Sequence, residues 1–104
     1  MIAANCVLTT QVTVGQHVIV NTATIVSHDA RLDDYVSVAP TVSISGNVHV
    51  GAGSELGTGA SIRQGVHIGC GAIVGMGSVV LKDVAAHTVV AGSPAKPLRT
   101  LNAF

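Results

Sequence analysis

Counting from Ile2 in steps of six, through Leu8, Val14, Val20 and Val26 to Val80, meets a branched aliphatic residue every time. The positions two residues earlier, from Cys6 through Val12, Val18 and Thr24 to Val84, hold only Cys, Val, Thr, Ala or Ser. The residue after the aliphatic is often Gly, Asn, Asp or Ser, as at Gly15, Asn21, Asp33, Gly51, Gly57, Gly69 and Gly75. Alternate residues of a strand face the same way, so each hexad describes one short strand: a small inward residue, a large inward residue two positions on, and a corner with turn chemistry. A period of six does not fit a helix, whose faces repeat every 3.6 residues.

A chain that turns a corner every six residues coils. Three strands close a triangular rung of about eighteen residues, and rungs stack by parallel pairing. At about 4.8 Å per rung the fourteen hexads make four to five rungs and a prism roughly 22 Å long. The expected architecture is an all-β parallel β-helix with a short C-terminal tail. It forms one domain over residues 1–104, with repeats over 1–85 and a closing segment over 86–104. The phase runs without a slip from Ile2 to Val84, so no inserted loop is expected. A straight prism has flat faces and no pocket, whereas small-molecule sites need concavity; the cleft would then be completed by another subunit.

The outward positions fall into three columns. One carries Gln11, Thr13, Asp29, Arg31, Asn47, His49, His67 and Asp83 and reads as solvated. The others include Ile19, Tyr35 and Ile73 on one face and Val7, Ala23, Ile25 and Val79 on the next. Apolar stripes on two adjoining faces suit a closed ring of copies.

Composition narrows the function. With 48% hydrophobic and 10% charged residues the chain is not a disordered linker. Val and Ile approach a quarter of the chain while Phe and Tyr number one each and Trp is absent, which argues for strands rather than a helical bundle. Five basic residues balance five acidic ones, leaving no basic field for nucleic acid or an anionic membrane. No apolar run approaches the ~18 residues of a membrane span and no leader pattern is present, so the chain reads as soluble and cytoplasmic. Cys6 and Cys70 are too few for a disulfide framework and read as free thiols.

Three stretches carry a family resemblance: Asn21-Thr22-Ala23-Thr24-Ile25-Val26-Ser27-His28-Asp29, Tyr35-Val36-Ser37-Val38-Ala39-Pro40, and Lys82-Asp83-Val84 with Val89 through Pro97. With the hexads between them, nearly the whole chain resembles the hexapeptide-repeat acyltransferases, which wind as left-handed β-helices. In particular it is similar to the bacterial sialic-acid O-acetyltransferases and nucleotide-amino-sugar N-acetyltransferases. The resemblance implies acetyl transfer from acetyl-CoA to a hydroxyl or amine, on a sugar, in a homotrimer. His28 matches the family's general base, a role that suits an imidazole because its ordinary pKa of about 6.5 lets it take and return a proton at neutral pH. Asp29 stands for the acidic neighbour that orients it, and Asn21 for an acceptor-binding residue. Along the corners at eighteen-residue intervals, His28, Gly46, Gln64 and Lys82 form one column and Pro40, Thr58, Met76 and Pro94 another. The family's donor runs along such corners, which assigns Gly46, Thr58 and Met76 to acetyl-CoA, with Lys82 and Lys96 near its phosphates. Arg99 reads as a solvated terminal charge.

The chain departs from the family in two ways. Ser37 stands where relatives commonly have His close to the thioester, and Ser donates a hydrogen bond but does not titrate. The relatives' N-terminal βαβ domain, which binds a nucleotide sugar, is not represented in a sequence that begins directly in the repeat. These departures keep open a catalytically degenerate scaffold or binding protein. A further alternative rests on His49 and His67, eighteen residues apart and expected to stack, as in the γ-class carbonic anhydrases on the same type of helix. Zinc would need a third protein ligand, so the expectation is a plain surface ladder and no metal. For His28 the plain alternative is a solvated corner histidine, one of five histidines in the chain, with His17 and His87 read as surface residues.

Overall fold

In the computed structural model, which describes residues 1–101, the hexads form two-residue strands separated by four-residue corners. Three parallel sheets result. The first stacks β1 (Val7–Leu8), β4 (Ile25–Val26), β7 (Ser43–Ile44), β10 (Ser61–Ile62) and β13 (Val79–Val80). The second stacks β2 (Thr13–Val14), β5 (Arg31–Leu32), β8 (His49–Val50) and β11 (His67–Ile68). The third runs from β3 (Ile19–Val20) through β6 (Ser37–Val38), β9 (Glu55–Leu56), β12 (Ile73–Val74) and β14 (Thr88–Gly92) to β15 (Ala95–Thr100). Successive partners are eighteen residues apart, as in Ile25↔Ser43 and Ser37↔Glu55. The result is a left-handed β-helix of about five turns with a short tail, as the hexad spacing and the resemblance led us to expect.

The interior is what the two inward columns dictate. Val20, Val26, Leu32, Val38, Ile44 and Val50 are fully buried, and the small column fills the spaces between them with Val36, Val42, Val48 and Ala60. Thr24 and Ser54 also lie inside, and their hydroxyls donate to the carbonyls of Ala39 and Gly69, at 3.2 and 2.8 Å. Such partners remove the cost of burying a hydroxyl. Leu8 and Val14 are only partly buried and Ile2 is exposed, because no other described residues cover the first rung.

Two details differ from the sequence-based expectation. The chain turns later than the Gly/Asn/Asp positions suggest. The left-handed residue comes three places after the large aliphatic, at Gln11, His17, Ala23, Asp29, Tyr35, Thr41 and Asn47, and at glycines from Gly53 onward. Gln11, Ala23, Asp29, Tyr35 and Asn47 are therefore corner residues and not members of flat faces. Gly51, Gly57 and Gly69, just after the strands, are small for a different reason: a Cβ there would lie 2.4–2.5 Å from a backbone nitrogen of the next rung. The second difference is a slip. Val84 bridges Ile68, and Val90 pairs with Val74, a spacing of sixteen. One corner after Val80 is thus two residues short, which takes Pro94 out of the Pro40–Thr58–Met76 column and into the turn between β14 and β15. These two strands form the antiparallel hairpin that ends the third sheet. Of the expected closing segment 86–104, residues 102–104 lie outside the described residues.

Candidate active site

His28 and Asp29 occupy the corner between the first and second sheets. Asp29 sits at φ 57°, a left-handed conformation that Asp tolerates better than most residues. Backbone bonds hold this corner from both sides: the Asp29 N–H donates to the Thr10 carbonyl at 3.0 Å, and the His28 carbonyl accepts from the Asn47 N–H at 2.9 Å. The turn also brings the two side chains together, with His28 Nδ1 3.2 Å from Asp29 Oδ2. A carboxylate at Nδ1 favours a proton there and leaves the lone pair on Nε2. Both side chains are about half exposed, 54% and 53%.

Gly46 makes room for the ring. It lies one rung below His28 at the same corner, and a Cβ on it would be 2.5 Å from Nε2 and 2.6 Å from Cε1. The imidazole therefore rests over a bare α-carbon, and the backbone at Gly46 faces the basic nitrogen. Sequence spacing indicated the column but not this contact.

A groove of about 400 Å³ runs over the third sheet and its corner with the first. Its lining includes Asn21, Ser37, Thr58 and Met76, together with Pro40, Glu55 and Ile73. Four residues singled out from sequence thus converge. Asn21 is held by its Nδ2, which donates to the Val38 carbonyl at 2.9 Å; its side-chain oxygen has no protein donor among the described residues. Glu55 was not foreseen. It occupies an ordinary outward strand position, and the available signal was its place one rung below Ser37, in direct register.

The remaining assignments lie elsewhere. Within one chain His28, Asp29 and Gly46 do not line this groove. Lys82 lines a separate recess of about 360 Å³ at the C-terminal end, beside Asp83, Thr88 and Pro97. Lys96 and Arg99 are exposed on β15, the last strand of the sheet that carries Ser37 and Glu55.

The second sheet is the polar face. His49 and His67 stack with ring centroids 4.6 Å apart and planes 4° from parallel. Asp33 accepts from His49 Nε2 at 2.7 Å and from Arg31 Nε at 2.9 Å. Burial works against ionising Asp33, but the bond to His49 and the charges of His49 and Arg31 outweigh it and hold the carboxyl below its usual range. No group of three or more potential metal ligands occurs among the described residues. Both cysteines are free thiols, Cys6 half-buried with its Sγ 2.9 Å from the Asn21 carbonyl oxygen and Cys70 exposed. No helix among the described residues is long and apolar enough to cross a membrane.

No protein-family model and no curated protein sequence matches the chain. Solved structures do. The acetyltransferase domain of PglB from Neisseria gonorrhoeae, solved in complex with acetyl coenzyme A, aligns at a TM-score of 0.84 and 35% identity over 91% of this chain and 55% of that one. The fold is that of the hexapeptide-repeat acetyltransferases. A mutant of GDP-perosamine N-acetyltransferase from Caulobacter crescentus, in complex with CoA and GDP-perosamine, aligns at 0.83 and 29% identity over 95% of this chain and 57% of that one. A galactoside acetyltransferase in complex with coenzyme A aligns at 0.93 over 98% of this chain and 62% of that one; its 22% identity bears on the fold alone. The chain spans about half the length of the PglB and perosamine acetyltransferase structures.

Proposed function

We propose that the chain transfers an acetyl group from acetyl-CoA to a hydroxyl or amine of a sugar, in the cytoplasm, at a site completed between copies in a homotrimer. The observation that carries this reading is the 35% identity, over 91% of the chain, to an acetyltransferase domain in complex with acetyl coenzyme A. The geometry adds a reason for the shared site. The groove with Asn21, Ser37, Thr58 and Met76 lies on a different edge of the prism from His28, so one copy would supply the groove and its neighbour the base. Apolar Val7 and Ile25 on the first face, and Ile19 on the third, are 50%, 47% and 42% exposed in the single chain, available to be covered by such neighbours.

In this reading His28 Nε2 takes the proton of the acceptor as its oxygen or nitrogen attacks the thioester carbon. The carbon–sulfur bond breaks, and the imidazolium returns the proton to the coenzyme A thiolate. Asp29 keeps Nδ1 protonated and the ring in orientation. Gly46 lets donor and imidazole approach the same backbone. Thr58 and Met76 flank the pantetheine arm, Asn21 and Ser37 address the acceptor, and Lys96 and Lys82, both toward the C-terminal end, meet the phosphates. Incubation with acetyl-CoA and a panel of amino sugars, sugar hydroxyls and simple amines tests the reading. Free thiol and acetylated acceptor are expected in equal amounts; thiol release no faster than hydrolysis with every acceptor would refute it. A binding scaffold is the second reading, favoured by Ser37, which cannot titrate. It predicts donor binding without transfer.

A further inference from the structure

We infer that Glu55 is the specificity-determining residue of the groove and selects an acceptor carrying a protonated amine over the corresponding hydroxyl; this rests on the acetyl-transfer reading for its chemistry. Glu55 is the only charged residue among those lining the groove. It is exposed, lies between Ser37 and Ile73 in strand register, and forms no ion pair among the described residues. A carboxylate with no ion-pair partner among the described residues, set among Ser37, Thr58, Pro40, Ile73 and Met76, has its effect on what enters.

Charge decides which end of which substrate that is. Arg99 pairs with Val89, Val89 with Ile73 and Ile73 with Glu55, so the cationic edge strand lies three strand spacings from Glu55 on one sheet, about 14 Å. The phosphates of coenzyme A belong at that cationic edge and not beside a carboxylate. What remains for the Glu55 end is a group with hydrogen to donate, best of all an ammonium, because a charge-assisted hydrogen bond is about twice as strong as a neutral one. Ser37 can add a neutral hydrogen bond to the same group. An ammonium acceptor balances as R–NH3⁺ plus acetyl-CoA giving R–NH–acetyl, coenzyme A thiol and one proton to solvent. It must lose its extra proton before attack, and Glu55 holds it meanwhile.

Binding is measured separately from turnover. Methyl glycosides of an amino sugar and of its hydroxyl counterpart are titrated by NMR, at pH 6 and above the amine's pKa, into the wild-type protein saturated with coenzyme A and into Glu55→Gln. The expected result is roughly ten-fold tighter binding of the amine at pH 6. That preference should vanish at high pH and in Glu55→Gln, with acetyl-CoA affinity unchanged. An equal preference in Glu55→Gln, no preference in the wild type, or a loss of acetyl-CoA affinity in the variant overturns the inference. Discrimination in binding with no acetyl transfer would count against the proposed reaction and leave the Glu55 assignment standing. Efficient transfer to hydroxyls without amine preference would do the reverse.

Discussion

Replacing Gly46 with Ala puts one methyl group where the His28 imidazole lies. The new Cβ would be 2.5 Å from Nε2, 2.6 Å from Cε1 and 3.0 Å from Cδ2, against a comfortable separation of about 3.5–4.0 Å. The ring must therefore retreat by about 1 Å or more. It can do so at little cost, because the side chain is half exposed and held only by the 3.2 Å contact to Asp29. The backbone has no objection either, since Gly46 is not among the positive-φ residues, and Gly→Ala at a compatible position stabilises by about 0.4–1 kcal/mol through the unfolded state. The expected signature is an unchanged or slightly raised melting temperature with acetyl transfer reduced about 10²-fold, the effect of a 1 Å misplacement. Gly57→Ala supplies the contrast. There the Cβ would meet Met76 N at 2.5 Å and the Val74 carbonyl oxygen at 2.8 Å, backbone that cannot swing away, so that variant should lose about 1–3 kcal/mol of stability. Transfer by Gly46→Ala within two-fold of the wild type would refute the idea that the glycine seats the base.

Three further outcomes follow from the same geometry. His28→Ala should lower turnover by about 10²–10⁴-fold in a steady-state thiol-release assay while leaving the calorimetric affinity for coenzyme A nearly unchanged; wild-type turnover would remove His28 from the chemistry. Ile25→Glu, on the exposed apolar face, should shift light scattering from about three times 10.4 kDa toward the single chain, whereas Thr13→Glu on the polar face should not. Asp33→Asn should reduce urea stability at neutral pH. Its carboxyl is held below the usual range, so its contribution is full above the ordinary Asp pKa and disappears as pH falls through the lower folded value; the gap between variant and wild type should close below about pH 4.

The hexad made the coil legible because both inward columns are visible in the sequence: the aliphatics at Val20 to Val80 and the small residues beside them are the buried core. The corners were harder. Asn, Asp and Gly just after each strand suggest a turn there, but at Gly51, Gly57 and Gly69 the constraint is the approach of the next rung's backbone, a contact eighteen or so residues distant. Tyr35 and Thr41 adopt the left-handed conformation despite poor intrinsic preference, because pairing on either side fixes the corner. The slip after Val80 left no mark, since Val84 suits the small column and the large column equally. At the site, spacing put Thr58 and Met76 in one corner column, and the resemblance supplied their donor role together with His28 and Ser37. Glu55 escaped notice because an outward Glu on a short strand looks like any solvated residue until the groove around it is seen.

The measurement that bears most directly on the account is a crystal structure with acetyl-CoA bound. The donor is expected between two copies of the chain, its phosphates toward Lys96 and its thioester between His28 of one copy and the groove with Ser37 and Glu55 of the other. A donor lying on the polar face by His49 and His67, or held wholly within one copy and away from His28, would contradict it.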